Sequence, residues 1–166
     1  MNTIEKLEIF WRNIPNEFEI KAVSGEEIKI YNRGFIHDEM NIYKQAIIKI
    51  GHQTWAGNVA ICERSTDFLK LERKYKNGII LLIVLKNDAN IFIDGKTTLP
   101  TLVIDDDVLC MYYKIGKMRE LCIKYYQLMN YAKCVNDVDM YNNAKKNVMQ
   151  LSELLKIEEK MLNIKK

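Results

Sequence analysis

The side chains able to do chemistry gather between residues 37 and 74: His37, Asp38, Glu39, His52, Glu63, Asp67, Glu72 and Lys74. Carboxylates in such a group could hold a hard divalent cation through oxygen ligands, and the cation could then activate water. That chemistry requires the carboxylates to converge, and their local settings argue against it. Glu63 follows Cys62 in an apolar strand-like segment, so it points to the opposite face from positions 60 and 62. Glu72-Arg73-Lys74 spells an acid-x-lysine pair on a helical pattern, where a solvated charged face is the simpler reading. Asp67 and Ser65 read as the start of that helix. Asp38-Glu39 is the best candidate for a migrated ligand pair, and it falls in a loop. No base, nucleophile and ligand set converges, so catalysis is not expected.

His52-Gln53-Thr54 matches half of the paired signature of two-histidine phosphoesterases, but His37-Asp38-Glu39 does not supply the second half. His52 is therefore read as a turn residue. Cys62, Cys110, Cys122 and Cys134 contain no CxxC pair, and the last three recur every twelve residues in a helical pattern. They read as small core residues rather than as a disulfide frame or zinc ligands. No metal and no cofactor is expected. There is no Gly-rich phosphate loop, nucleophile elbow or zinc-protease motif.

The elements that would position these residues are short. Ile4, Leu7 and Trp11 share one face of an N-terminal helix that stops at Pro15. Residues 17–23 and 26–32 alternate around Ser24-Gly25 and predict a hairpin. Two more strands, 46–50 and 55–61, flank Gly51-His52. Residues 65–78 predict one helix ending at Gly78, and the apolar run 79–85 predicts a central buried strand. A further hairpin is expected from Asn90–Ile93, Asp94-Gly95 and Leu102–Ile104.

Beyond residue 104 the chain changes character, with no proline and a single glycine, Gly116. Asp105, Asp106 and Asp107 favour a helix N-terminus. Val108, Met111, Ile115, Met118, Cys122, Tyr125, Met129 and Ala132 then form a heptad seam. After a break at Val135-Asn136-Asp137, a second seam runs through Met140, Ala144, Val148, Leu151, Leu155 and Leu162. Leu154, Ile157, Met161 and Ile164 widen it. Two long helices on a short loop predict an antiparallel hairpin, packed on the rest or used as an interface. Met111, Met118, Tyr125, Met129, Leu151, Leu154 and Met161 are the interface candidates. Lys114, Lys117 and Lys124 lie off the seam and are candidates for a nucleic-acid backbone.

The stretch IKIGHQTWAGNVAICERSTDF (48–68), with IILLIV (79–84) and DGKTTLPTL (94–102), resembles the bacterial domain-of-unknown-function family 2851. The resemblance covers roughly residues 22–104. Members of that family run Ile-Lys-Ile-x-Gly-x-x-Trp-x-Gly-Asn-Val-Glu-Ile-His, then Ser-Ser-Asp-Trp, then Val-Ile-Leu-His-Val-Val. The helix–strand order, αβββαβ, is that of the PD-(D/E)XK nucleases. The fold expected is therefore α+β: a restriction-endonuclease-like core over 1–104 and a helical hairpin over 105–166, together one structural domain. Under that resemblance an aspartate and a glutamate on adjacent strands would hold a cation, with histidine beside them. Here those positions are Ile42, Ala60, Cys62 and Leu82. Removing every ligand at once turns a polar cleft into one that can pack, because a lone buried carboxylate costs several kcal/mol.

A net charge of +3 with lysine and glutamate interleaved neither demands nor excludes a polyanion, and 48% apolar residues suffice for an ordinary core. No run reaches the roughly 18–20 apolar residues that cross a bilayer, and no secretory signal opens the chain, so a cytoplasmic protein is expected. The expectation is a non-catalytic accessory or adaptor subunit that binds a protein partner, or a second copy, through the hairpin. The alternatives are a nucleic-acid-binding protein without cleavage, and a divergent nuclease using Asp38, Glu39, Glu63 or Asp67.

Overall fold

A computed structural model describes residues 2–16, 20–36 and 41–164. The chain divides into two compact units, Met1–Leu109 and Cys110–Lys166, a little beyond the point where the sequence changes character.

The first unit opens with helix α1 (Thr3–Asn13), capped by Asn2, whose side chain accepts from the Ile4 amide at 3.0 Å. Its apolar face buries Leu7, Phe10 and Trp11 completely against strands β5 (Gln53–Arg64) and β6 (Ile79–Lys86). These two strands lie in a seven-stranded sheet with β1 (Ile20–Lys21), β2 (Glu27–Asn32), β4 (Ile42–Ile50) and β7 (Thr101–Val103). The order is β1-β2-β4-β5-β6-β7, and β3 (Phe35–Ile36) pairs with β4. Strands β1 to β5 pair antiparallel, whereas β5–β6 and β6–β7 are parallel. The expected pair around Gly51-His52 forms, but both strands run longer than the sequence pattern indicates.

The structure departs from the sequence reading at three further places. The helix expected over 65–78 is two short ones, α2 (Ser65–Lys70) and α3 (Arg73–Lys76). Leu71 ends α2 in an extended conformation and packs against the core, a gain one continuous helix would forgo. Residues 90–104 do not form a hairpin of strands: Phe92 and Thr98 make one isolated bridge, and β7 instead joins β6 in parallel. The Asp94 carboxylate organises that turn, accepting from the Lys96 and Thr97 amides at 3.0 and 2.6 Å. Finally, β6 is buried on both faces yet stands next to last in the sheet, not at its centre.

The second unit holds a C-terminal helical pair from Cys110 onward, the first turn of its leading helix belonging to the first unit. α4 (Asp106–Cys134) and α5 (Val138–Ile164) flank a break at which Asn136 adopts φ 56°. Asp137 starts α5 by accepting from the Met140 amide at 2.9 Å. Arg119 pairs with Glu159 at 2.7 Å, and Lys114 with Glu158, so early α4 meets late α5. No helix among the described residues is long and apolar enough to cross a membrane.

Candidate functional site

Cross-strand register decides what shares a face. Ile42 of β4 stands opposite Ala60 of β5, and Ala60 stands beside Leu82 of β6. One repeat further, Cys62 stands beside Val84 on the same face. The four positions singled out by the family pattern, Ile42, Ala60, Cys62 and Leu82, thus meet in one patch. That patch is a buried cluster completed by Phe68 of α2, Ile79, Val84 and Ile91 and Leu99 of the β6–β7 connection. None of the four is more than 7% exposed. Burial, with the Asp67 charge adding to it, pushes the Cys62 thiol up to about 12, so no thiolate nucleophile exists there at neutral pH. The patch offers no oxygen ligand, acid or base, and what it can do chemically is pack.

A polar clasp that the sequence does not announce ties the start of α2 to the chain just after β6. Ser65, fully buried, donates from Oγ to Asp88 at 3.0 Å and accepts from the Asp88 and Ala89 amides at 2.9 and 2.8 Å. Asp88 also accepts from the Thr66 amide and hydroxyl. These bonds, the Thr66 amide first, hold the Asp88 carboxyl below the usual carboxylate range. The only hint in the chain is Lys86-Asn87-Asp88 directly after an apolar strand, which reads as an ordinary loop start.

The remaining candidates scatter. Glu63 is exposed beyond Cys62. Asp67 closes α2 locally, accepting from the Arg64 amide at 3.2 Å and pairing with Lys70 at 2.6 Å. The Lys70 hydrogen bond is the main reason its carboxyl lies below the usual range. Glu72 and Lys74 form an exposed ion pair at 3.0 Å. His52 is exposed in the β4–β5 turn. His37, Asp38 and Glu39 lie outside the described residues. Among the described residues, no group of three or more His, Cys, Asp and Glu could hold a metal ion. Cys110 and Cys134 are exposed, contrary to their reading as core residues; a period of twelve advances around a helix and drifts off the seam, and only Cys122 stays in it.

Two openings border the cluster. One, of about 240 Å³, is lined by Ile42, Lys44, Asn58, Lys74, Tyr75 and Asn77. The other, of about 700 Å³, has Ile50, His52, Gln53, Trp55 and Ile80 among its lining residues. Gly57 follows Ala56, one of its lining residues. A Cβ there would come within 2.5 Å of the Ile80 side chain and 2.7 Å of the Gly78 carbonyl, so a glycine at position 57 lets the start of β6 lie close beside β5 where their register shifts.

In the helical pair the α4 seam is real: Val108, Met111, Met118, Tyr125 and Met129 are half-buried, while Ile115, Cys122 and Ala132 are buried. Leu151 is half-buried, whereas Leu154, Ile157 and Met161 are each at least half exposed. Lys114 is paired with Glu158, and Lys117 lies 3.4 Å from Glu120 and over the Tyr113 ring. Lys124 is exposed.

A family model described as "Protein of unknown function (DUF2851)" matches residues 5–166. The chain belongs to that family. The match takes in α1 and the helical pair as well as the 22–104 stretch. No curated protein and no solved structure matches the chain.

Proposed function

We propose that this member of the DUF2851 family keeps a nuclease-like αβββαβ scaffold without catalytic chemistry and works as an accessory or adaptor subunit. One observation carries the reading. The positions at which such a scaffold would hold its cation and histidine, Ile42, Ala60, Cys62 and Leu82, all lie in a single buried apolar cluster. Antiparallel β4–β5 followed by parallel β6, with α1 behind them, is consistent with that scaffold. A protein partner, or a second copy, would be engaged by the C-terminal helices as a hairpin, where Leu154, Ile157 and Met161 present apolar surface. Binding of nucleic acid through Lys114, Lys117 and Lys124 is less well supported, because carboxylates already occupy the first two.

The test has two arms. The double variant I42D/A60E restores the carboxylate pair, and Mn²⁺ should then raise its Tm while leaving the wild type unmoved. A wild-type protein that cleaves DNA or RNA with divalent cations would defeat the reading outright. For the interface, light scattering should find the wild type self-associated or holding a partner from its native host, and L154E/M161E should lose that species. A monomer with nothing attached in both would remove the adaptor role.

A further inference from the structure

Beyond the buried cluster, the same sheet face runs on uncovered. The β4–β5 pairing shifts register between Tyr43 and Ala46 with the extra residue on β4, so along β5 Thr54, Ala56 and Asn58 still share the face of Ala60 and Cys62. Ala56 stands opposite Ile47, Thr54 opposite Lys49, and Lys49 opposite Lys29. Tyr31 sits at a bulge of β2, between Ile30, opposite Ile48, and Asn32, opposite Ile47. The other face of these strands is filled by Ile28, Ile30, Ile48 and Ile50, all buried. Tyr31 is 51% exposed and Ile47 39%.

The charges on this face are arranged against the sheet's own interest. Lys29 and Lys49 are direct cross-strand neighbours, a pairing in which like charges destabilise. Lys21 faces Glu27 and Lys74 pairs with Glu72, but Lys29, Lys44 and Lys49 form no ion pair among the described residues. Lys44 is aimed by a bulge: the β4–β5 register shifts between Tyr43 and Ala46, with Gln45 at φ 60°. It lines the opening beside Ile42 with Asn58, Lys74 and Tyr75. Unpaired lysines side by side, with the exposed Tyr31 ring near them, complement a chain of phosphates whose bases are free to stack.

We infer that this open sheet face binds a single-stranded nucleic acid, with Lys29, Lys44 and Lys49 on the phosphodiester backbone and Tyr31 stacking on a base. The inference concerns unit 1 alone and does not rest on the adaptor reading. DNA and RNA share this chemistry, and both are probed.

Fluorescence anisotropy with labelled single-stranded DNA and RNA of about 20 nucleotides tests it. At least one should bind, with a log–log salt slope of about −2 for three phosphate contacts. K29E/K44E should weaken binding at least about tenfold, while Y31A should weaken it about fivefold with the salt slope unchanged. K29E alone carries its own control: it sets opposite charges across from Lys49, so Tm should hold or rise as affinity falls, which a purely structural lysine would not do. Failure of the wild type to bind either oligonucleotide at low salt overturns the inference. So does K29E binding as tightly as wild type, or a duplex of equal length binding as tightly with Y31A having no effect.

Discussion

Where Ile42, Ala60 and Leu82 meet, both faces of strands β4 to β6 are buried, and they handle polar groups in opposite ways. Under α1 the packing tolerates titratable side chains. The Trp11 indole donates to the Arg33 carbonyl at 3.2 Å, and the Arg33 guanidinium donates to the Ile14 carbonyl. Burial lowers the Arg33 pKa and raises that of Glu8. Burial also pushes Tyr43, on β4 near Glu8 and Arg12, up to about 12. Under α2 the buried members of the cluster around Ala60 include one ionisable group, a thiol held neutral, and Tyr75 packs against them partly buried. The α1 face keeps its charges because backbone carbonyls and opposite charges are within reach; the buried residues around Ala60 are apolar apart from the thiol, so an acid at that position would be desolvated among them.

The sharpest way to break this contrast is A60E. It forces a longer side chain and a carboxylate into a site with no exposure, and should cost on the order of 5 kcal/mol in urea unfolding. Because burial would raise the new group's pKa, the loss should deepen as pH rises. A variant as stable as wild type at neutral pH would show that the α2 face is polar-tolerant after all.

S65A should cost about 1 kcal/mol, since it removes the acceptor of the part-buried Asp88 and Ala89 amides. The Asp88 carboxyl is held low, so its contribution is present above its unfolded pKa and fades as pH falls through the folded value. Acid titration of Tm should therefore be steeper in wild type than in D88N.

The smallest effect belongs to E8Q. Glu8 is raised mainly by burial, so its destabilising contribution is absent below the unfolded pKa and grows until pH passes the folded value. Replacing it should stabilise the protein at neutral pH by less than about 1 kcal/mol and make little difference at acid pH. A larger loss would mean that Glu8 holds a partner that the α1 face cannot do without.

The candidate site was partly legible. Ile42, Ala60, Cys62 and Leu82 stand out in the chain only beside a family pattern, since each alone is an ordinary apolar residue. Heptad spacing located the α4 seam well, because helical contacts repeat locally. It did not separate Leu151 from Leu154, which differ in cover and not in type. The lysine face escaped the sequence reading altogether: Lys29 and Lys49 lie in separate strands, and only pairing makes them neighbours. The Ser65–Asp88 clasp escaped for the same reason.

By itself the sequence determined where α1 stops, where α4 and α5 begin, and that Ile42, Ala60, Cys62 and Leu82 are apolar or soft. These are local matters, set by side-chain period, capping groups and residue type. Tertiary structure alone decided that β7 joins β6 in parallel, that the 65–78 helix breaks at Leu71, and that one sheet face is apolar at one end and basic at the other. Register across strands settles those outcomes, and register is a relation between distant residues that no single segment carries.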